Sequence, residues 1–211
     1  MTDTLNLESA IKIVLLGESG VGKTSLINVA MGKEFKRNIL SSLNTSFQAG
    51  VFKNGNEEYA YTLWDTAGQE SYRSLNKIFI KNTKVVIFVY SIENYETFKE
   101  LDYWISISKE ELGDNSIYGI IGNKSDLFDE QKVNDEEAEK YAKNHKMKIK
   151  FTSAYLDSKG VRSFLDELIL DYIKKISPEL QDEISIKKEA EEEKSVKLVP
   201  INKAKKRRKC C

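Results

Sequence analysis

An apolar run, Ile11-Lys12-Ile13-Val14-Leu15-Leu16, breaks into the loop Gly17-Glu18-Ser19-Gly20-Val21-Gly22-Lys23-Thr24, and a helical stretch follows from Lys23 to Met31. No other feature narrows the fold as much. Strand, glycine-rich loop and helix in that order make a cradle for phosphate. The glycines let the backbone approach an anion, the loop N–H groups point inward, and the helix adds its positive end. Ser19, Gly20, Val21, Gly22, Lys23, Thr24 and Ser25 are the candidate phosphate-binding positions. The Lys23 ammonium is placed to reach β- and γ-phosphates, and the Thr24 hydroxyl suits a Mg²⁺ ion. On its own the loop says only that some nucleotide binds, and leaves kinases and ATPases open.

The remaining pattern predicts an α/β fold. Val51-Phe52 and Tyr59 to Trp64 flank Lys53-Asn54-Gly55-Asn56-Glu57, where Asn54-Gly55 signals a hairpin. Val85 to Tyr90, Ile117 to Ile121 and the weaker Lys148 to Phe151 read as further strands. Helical stretches lie between them at Tyr95 to Leu112, Asp135 to Asn144 and Lys159 to Ile176. Alternation of this kind implies a mostly parallel six-stranded sheet with helices on both faces. The hairpin supplies one antiparallel edge strand. A content of 40% hydrophobic residues in 211 is enough for one such domain. We place it at residues 11–176, with a flexible N-terminus at 1–10 and a flexible, Lys- and Glu-rich tail at 177–211 that begins after Ser177-Pro178.

Three more segments specify the nucleotide. Asp65-Thr66-Ala67-Gly68-Gln69-Glu70 follows the strand ending at Trp64. Its Asp65 carboxylate belongs beside the metal, Gly68 can offer an N–H to a γ-phosphate, and Gln69 can orient an attacking water. Asn123-Lys124-Ser125-Asp126 and Thr152-Ser153-Ala154 read as a guanine pocket. The Asp126 carboxylate can accept from the N1–H and the exocyclic amine of guanine; adenine offers neither donor, so a buried carboxylate rejects it strongly. Lys124 can lay its stem along the base, and the Ala154 N–H can reach the guanine O6. The four segments together predict a site that binds GTP and GDP with Mg²⁺ and hydrolyses GTP, with Gln69, Lys23 and Gly68 as the catalytic groups. Asp126, Asn123 and Thr152-Ser153-Ala154 argue against a P-loop kinase or ATPase.

These segments resemble the Ras superfamily of small GTPases, and within it the Rab family, over residues 9–176. Trp64 to Glu70 has the Rab form, and Ser42-Leu43-Asn44-Thr45-Ser46-Phe47 is similar to the early-endosomal branch. The resemblance implies the P-loop GTPase fold. It implies that Phe35 packs on the guanine edge, that residues 36–47 and 66–81 are two nucleotide-dependent switches, and that Ser42 stands where the family has a Mg²⁺-ligating threonine. Thr45 is the rival ligand, at the cost of a three-residue shift. Phe47, Trp64 and Phe79 fall where Rabs carry an aromatic cluster that effectors contact, with plain core packing as the alternative. Trp104, in a helical pattern with Phe98 and Leu101, reads as core, and the lone His145 as a surface residue. Asn44 replaces a usual glycine, and Tyr155 stands where a lysine commonly follows. Ser19 is small enough to leave hydrolysis possible.

The tail adds a location. Net charge is zero, yet six basic residues crowd into Lys203 to Lys209, immediately before Cys210-Cys211. A basic patch suits an anionic membrane surface, and the paired cysteines resemble a Rab-type prenylation signal. With both cysteines at the end and no third partner, a structural disulfide is not expected, which fits a reducing cytosol. The expected protein is a monomer on the cytosolic face of an intracellular membrane, endosomal by resemblance, with a soluble pool. Its expected partners are an exchange factor, a GTPase-activating protein, effectors, a dissociation inhibitor and the prenylation machinery, and no nucleic acid. A second reading is a nucleotide-locked scaffold in which Ser42 and Asn44 have abolished turnover.

Overall fold

The computed structural model describes residues 10–36, 46–66 and 76–177. Ser42, Asn44, Thr45, Gly68, Gln69, the basic tail, Cys210 and Cys211 lie outside the described residues. The chain divides into two units, Met1–Tyr172 and Ile173–Cys211. The first carries the sheet; of the second, the described residues are the end of the last helix and Ser177. Among the described residues no helix is long and apolar enough to cross a membrane.

Six strands form one sheet: β1 (Ile11–Leu16), β2 (Ser46–Asn54), β3 (Glu57–Asp65), β4 (Val85–Ser91), β5 (Ile117–Asn123) and β6 (Lys148–Phe151). Their order is β2-β3-β1-β4-β5-β6, and β2 alone runs antiparallel to its neighbour. This is the predicted sheet, with the antiparallel strand at the predicted edge. The helices are α1 (Lys23–Ala30), α2 (Asn76–Ile80), α3 (Tyr95–Lys99), α4 (Leu101–Leu112), α5 (Asp135–Asn144) and α6 (Ser158–Ile176).

Both faces of the sheet are covered, which is why β4 reads as an unbroken apolar run and is buried throughout. Period-two alternation sorts the side chains. Leu15, Leu63, Ile87 and Ile121 face α1 and α6 through Leu26, Ile27, Val161 and Leu165. Val14, Leu16, Val86, Phe88 and Ile120 face α3, α4 and α5 through Phe98, Leu101, Trp104, Ala138 and Ala142. Trp104 is core, as its helical spacing predicts. On the first face, Arg162 of α6 donates to the Tyr61 hydroxyl at 2.7 Å and to the Ala30 carbonyl at 3.4 Å, pinning β3 and α1 to one guanidinium.

Parallel strands send their following loops to the same edge of the sheet. The chain moves from β1 to β3 on one side and to β4 on the other, so a crevice opens at the carboxyl end of β1. All four motifs start at that edge.

The structure departs from the sequence expectations in four places. The hairpin pairs Asn54 with Glu57, so the loop is Gly55-Asn56 and both strands are longer than their apolar cores. Pairing with β3 carries β2 through Gln48, Ala49 and Gly50, which have little strand preference of their own. The helix expected from Tyr95 to Leu112 divides at Glu100, although Glu100 N–H to Glu96 O and Trp104 N–H to Glu100 O continue the ladder at 3.1 and 3.3 Å. Helix α2 was not read from the sequence: its five residues are held by the fully buried Ile80 and by Lys77, which meets Glu110 of α4 at 2.8 Å. His145 is half-buried rather than surface, with its ring 4.6 Å from that of Tyr141, and burial beside Lys109 pushes its pKa down.

Phe88 is fully buried at the centre of the larger face. Phe88→Ala is expected to cost about 3–5 kcal/mol, read as a lowered midpoint in urea denaturation of the nucleotide-bound protein.

Candidate nucleotide site

The phosphate loop owes its shape to two close approaches. At Gly17 (φ 151°) a Cβ would lie 2.1 Å from the Val89 carbonyl oxygen, so β4 leaves no room for any side chain. At Gly22 (φ 98°) a Cβ would lie 2.4 Å from Asn123 Nδ2. That backbone conformation is left-handed, and the space already belongs to the asparagine. Between these points Ser19 and Gly20 are exposed, so the rim of the loop is open to a ligand.

Lys23 opens α1 and is 4% exposed. Its ammonium donates to Gly17 O at 2.8 Å and Glu18 O at 2.9 Å. Two carbonyls of the loop thus hold the cation in place, which limits the freedom of a long side chain. Glu18 is tied in turn to α4, because the Trp104 indole N–H donates to its Oε1 at 3.2 Å. The core reading of Trp104 did not anticipate that link.

Asn123 joins the loop to the base-binding segments. Its Nδ2 donates to the Val21 carbonyl at 2.8 Å, and its Oδ1 accepts the Ala154 N–H at 3.1 Å. The side chain is 2% exposed, where unpaired amide atoms would be costly. The Ala154 N–H, assigned from the sequence to guanine O6, is engaged within the protein by Asn123.

The Ser153 hydroxyl organises the other side of the pocket. It donates to Asp126 Oδ1 and accepts the N–H groups of Tyr155 and Leu156, both at 3.1 Å. One oxygen of Asp126 is thereby oriented by the loop. Ser125 N–H to Thr152 O at 3.1 Å closes the two segments on each other. Asp157 braces the turn behind them, accepting from Thr152 Oγ1 at 3.0 Å and from Gly160 N–H at 2.8 Å, the latter as a cap on α6.

Lys124 takes a left-handed backbone (φ 65°), and its ammonium meets Glu93 Oε1 at 2.6 Å. Ser91 Oγ donates to the same oxygen at 3.2 Å. The hydrogen bond from Lys124 holds the Glu93 carboxyl below its usual range, against the opposing effect of burial. Sequence reasoning missed Glu93. The register supplies the signal, since Ser91 pairs with Asn123 and the loops after β4 and β5 therefore emerge side by side.

Asp65 ends β3 opposite Leu15 and is 3% exposed, and the adjacent Thr66 hydroxyl donates to the Leu15 carbonyl at 2.8 Å. Thr24 and Ser25 are half-buried in the first turn of α1. Phe35 is half-buried, with its ring 5.2 Å from that of Tyr155. On the outer edge Phe47 stacks on Trp64 at 5.0 Å, the Lys12 ammonium sits 4.9 Å from the Trp64 ring, and Phe47 is 48% exposed. Trp64 and Phe79 are half-buried, and Trp64 also packs against the core.

A model of the Ras family matches residues 12–174. The chain belongs to the Ras family. It is similar to the Ras-related protein Rab-21 of the sponge Geodia cydonium, 38% identical over 165 residues that span 78% of this chain and 70% of the relative. Human Rab-21 is 35% identical over 165 residues, 78% of this chain and 71% of its own. Rab-11B of Dictyostelium discoideum is 33% identical over 165 residues, 78% and 74% of the two chains. Within the Ras family the chain is a Rab-type small GTPase, a GTP hydrolase that binds GTP and GDP.

Ser153→Ala leaves Asp126 unoriented and two N–H groups unpaired. Dissociation of fluorescent GDP is expected to accelerate about tenfold or more. The Glu93 pKa is lowered on folding, so the ion pair contributes above the unfolded carboxylate pKa and is lost as pH falls through the folded value. Denaturation between about pH 6 and about pH 3 is expected to show an acid-side loss in the wild type, under about 1 kcal/mol at this exposure, that Glu93→Gln lacks.

Proposed function

We propose that this GTPase is a membrane-anchored switch of vesicle traffic, of the endosomal kind, which hydrolyses GTP slowly and recruits effectors while GTP is bound. The observation that carries the nucleotide part is the pair of side-chain bridges at Asn123 and Ser153. One ties the phosphate loop to the base segments, and the other aims Asp126 at a donor pair that guanine has and adenine lacks. The similarity to Rab-21 and Rab-11B supports the cellular role.

In this reading Lys23 neutralises the β- and γ-phosphates, and the N–H groups from Ser19 to Ser25 cradle them. Gln69 orients a water for attack on the γ-phosphorus. The new P–O bond forms as the bond to the β-phosphate oxygen breaks, giving GDP, inorganic phosphate and a proton. Gly68 and Ser42 contact the γ-phosphate side and lose their partner when phosphate leaves, which releases both switches. Thr24 and Asp65 fit a Mg²⁺ site: a half-buried hydroxyl and a buried carboxylate are hard oxygen donors, and Ser42 adds a third. Magnesium commonly takes one or two protein carboxylates and completes its shell with phosphate and water; bound there it would neutralise charge on the phosphates. Among the described residues the one arginine, Arg162, is engaged by Asp166 and Tyr61 and does not assist in cis, so a partner is proposed for fast turnover. An exchange factor answers the slow release of GDP from a closed site.

Geranylgeranyl chains on Cys210 and Cys211 would each contribute about 0.8 kcal/mol per buried methylene. Each basic residue of the tail would add up to about 1 kcal/mol at an anionic leaflet. Two chains plus the patch anchor stably, so extraction requires a dissociation inhibitor.

Single-turnover GTP hydrolysis with Mg²⁺ is expected on the order of 10⁻⁴ s⁻¹, and Gln69→Leu is expected to abolish it. Negligible turnover in both proteins that an activating protein does not restore would replace the switch with a hydrolysis-deficient scaffold. Chelation of Mg²⁺ is expected to speed GDP release. Mass spectrometry of the native protein is expected to show both terminal cysteines lipidated.

A further inference from the structure

We infer that Trp104 is a positioning residue for phosphate binding: its indole N–H holds the Glu18 carboxylate toward α4, and so keeps that negative charge from competing with phosphate for the Lys23 ammonium. The inference rests on the phosphate role of Lys23 proposed above. Trp104 lies in the first turn of α4 and Glu18 in the loop after β1, 86 positions apart in sequence. The indole N–H donates to Glu18 Oε1 at 3.2 Å.

A carboxylate is a poor occupant of a loop that must receive phosphate. It repels the incoming anion, and it seeks the same cation. Glu18 is close to that cation, because its own carbonyl accepts from Lys23 Nζ at 2.9 Å. Lys23 is 4% exposed, and there a carboxylate attracts an ammonium more strongly than it does in water. With its side chain loose, Glu18 would form an ion pair that phosphate has to break. The indole N–H gives the carboxylate a different partner, in a charge-assisted hydrogen bond.

The holder is fixed in place. Trp104 is 3% exposed, belongs to the core of the larger face, and lies 5.2 Å from the Tyr103 ring with planes at 73°. A buried indole N–H needs an acceptor, and that need alone accounts for some hydrogen bond. It does not account for the choice of a charged side chain in the phosphate loop, one that is half-buried and open to water. The position of that side chain does account for it. The two carbonyls that carry Lys23 belong to consecutive residues, Gly17 and Glu18. Gly17 is fixed by the Val89 carbonyl of β4, which leaves no room for a Cβ, and Glu18 by Trp104 of α4. Sheet and helix thus set the place of the lysine from two sides.

The test is dissociation of fluorescent GDP from full-length wild type, Trp104→Phe, Glu18→Gln and the Trp104→Phe/Glu18→Gln pair, each loaded with the nucleotide. Phenylalanine keeps an aromatic ring in the core and removes the donor. Trp104→Phe is expected to release GDP about three- to tenfold faster than the wild type. Glutamine removes the competing charge, so the pair is expected to release GDP at the rate of Glu18→Gln alone. Unchanged release in Trp104→Phe overturns the inference. So does an equal acceleration with and without Glu18→Gln, which is what lost packing produces. Should Trp104→Phe fail to fold, Trp64→Phe leaves Trp104 as the remaining tryptophan of two, and ultraviolet resonance Raman reads its N–H. A hydrogen-bonded indole that weakens in Glu18→Ala is expected there, and a band indifferent to Glu18→Ala overturns the inference. Lys23→Ala tests the reading underneath: release as slow as in the wild type removes the phosphate role of Lys23, and that outcome is separate from any effect of position 104.

Discussion

One side chain decides whether the site exists as a unit. Asn123 sends its amide nitrogen to Val21 in the phosphate loop and receives Ala154 from the other base segment on its oxygen. Three stretches of chain, more than a hundred residues apart at the extremes, thereby share one buried amide. Neither bond exchanges with water where the side chain lies, so breaking one leaves an unpaired buried group. The glycine at 22 is a consequence: a side chain there would occupy the space that the amide needs. The spacing between the phosphate loop and the Thr152–Ala154 segment is consequently set by protein groups alone.

The charges in the site follow the same economy of motion. Lys23 is buried but carried by the loop's own carbonyls, and Glu18 beside it is held by the indole of Trp104. The core helix α4 therefore reaches the phosphate loop through a hydrogen bond, while its other side chains pack the sheet. Lys124 is held by Glu93 in a half-exposed pair, and the modest worth of such a pair implies that it serves position more than stability. A lysine stem that lies along a base needs its head fixed somewhere, and the loop after β4 is the nearest place to do so.

The sheet was legible because its constraint is simple. A strand buried on both faces must be largely apolar, and β1, β4 and β5 are, with Lys12, Ser91 and Asn123 the exceptions. The bounds of β1, α5 and β6 coincide with the expectation. The phosphate loop and guanine segments were legible because anion cradling and donor matching demand particular residue types at particular spacings. What stayed hidden depends on tertiary pairing. Gln48 to Gly50 become strand only because β3 lies beside them, and α2 exists through one buried isoleucine. Glu93 shows nothing in its local sequence that marks it as the counter-ion of Lys124. Tyr155 appeared as a departure from a family pattern; its contact with Phe35 depends on how two distant loops meet. Ser42 and Gln69, on which turnover is proposed to rest, lie outside the described residues and stand on sequence alone.

The distribution of burial marks where a fold this well braced has least to hold it. β4 is buried throughout, and β1 and β5 are buried along most of their length. β2 is an edge strand with no buried residue, and it pairs only with β3. Local opening is cheapest where few apolar contacts must be given up, so the β2 edge is the soft part of the domain. The resemblance places the switches at residues 36–47 and 66–81, the first of which runs into the β2 start and the second of which begins after the β3 end. Ser46 pairs with Asp65 and Phe47 with Trp64, so those two ends lie side by side in register. The stacked Phe47–Trp64 pair covers that junction and keeps Phe47 half in solvent. Rigidity on the base side and compliance at the β2 edge come from one cause, the position of each strand in the sheet order.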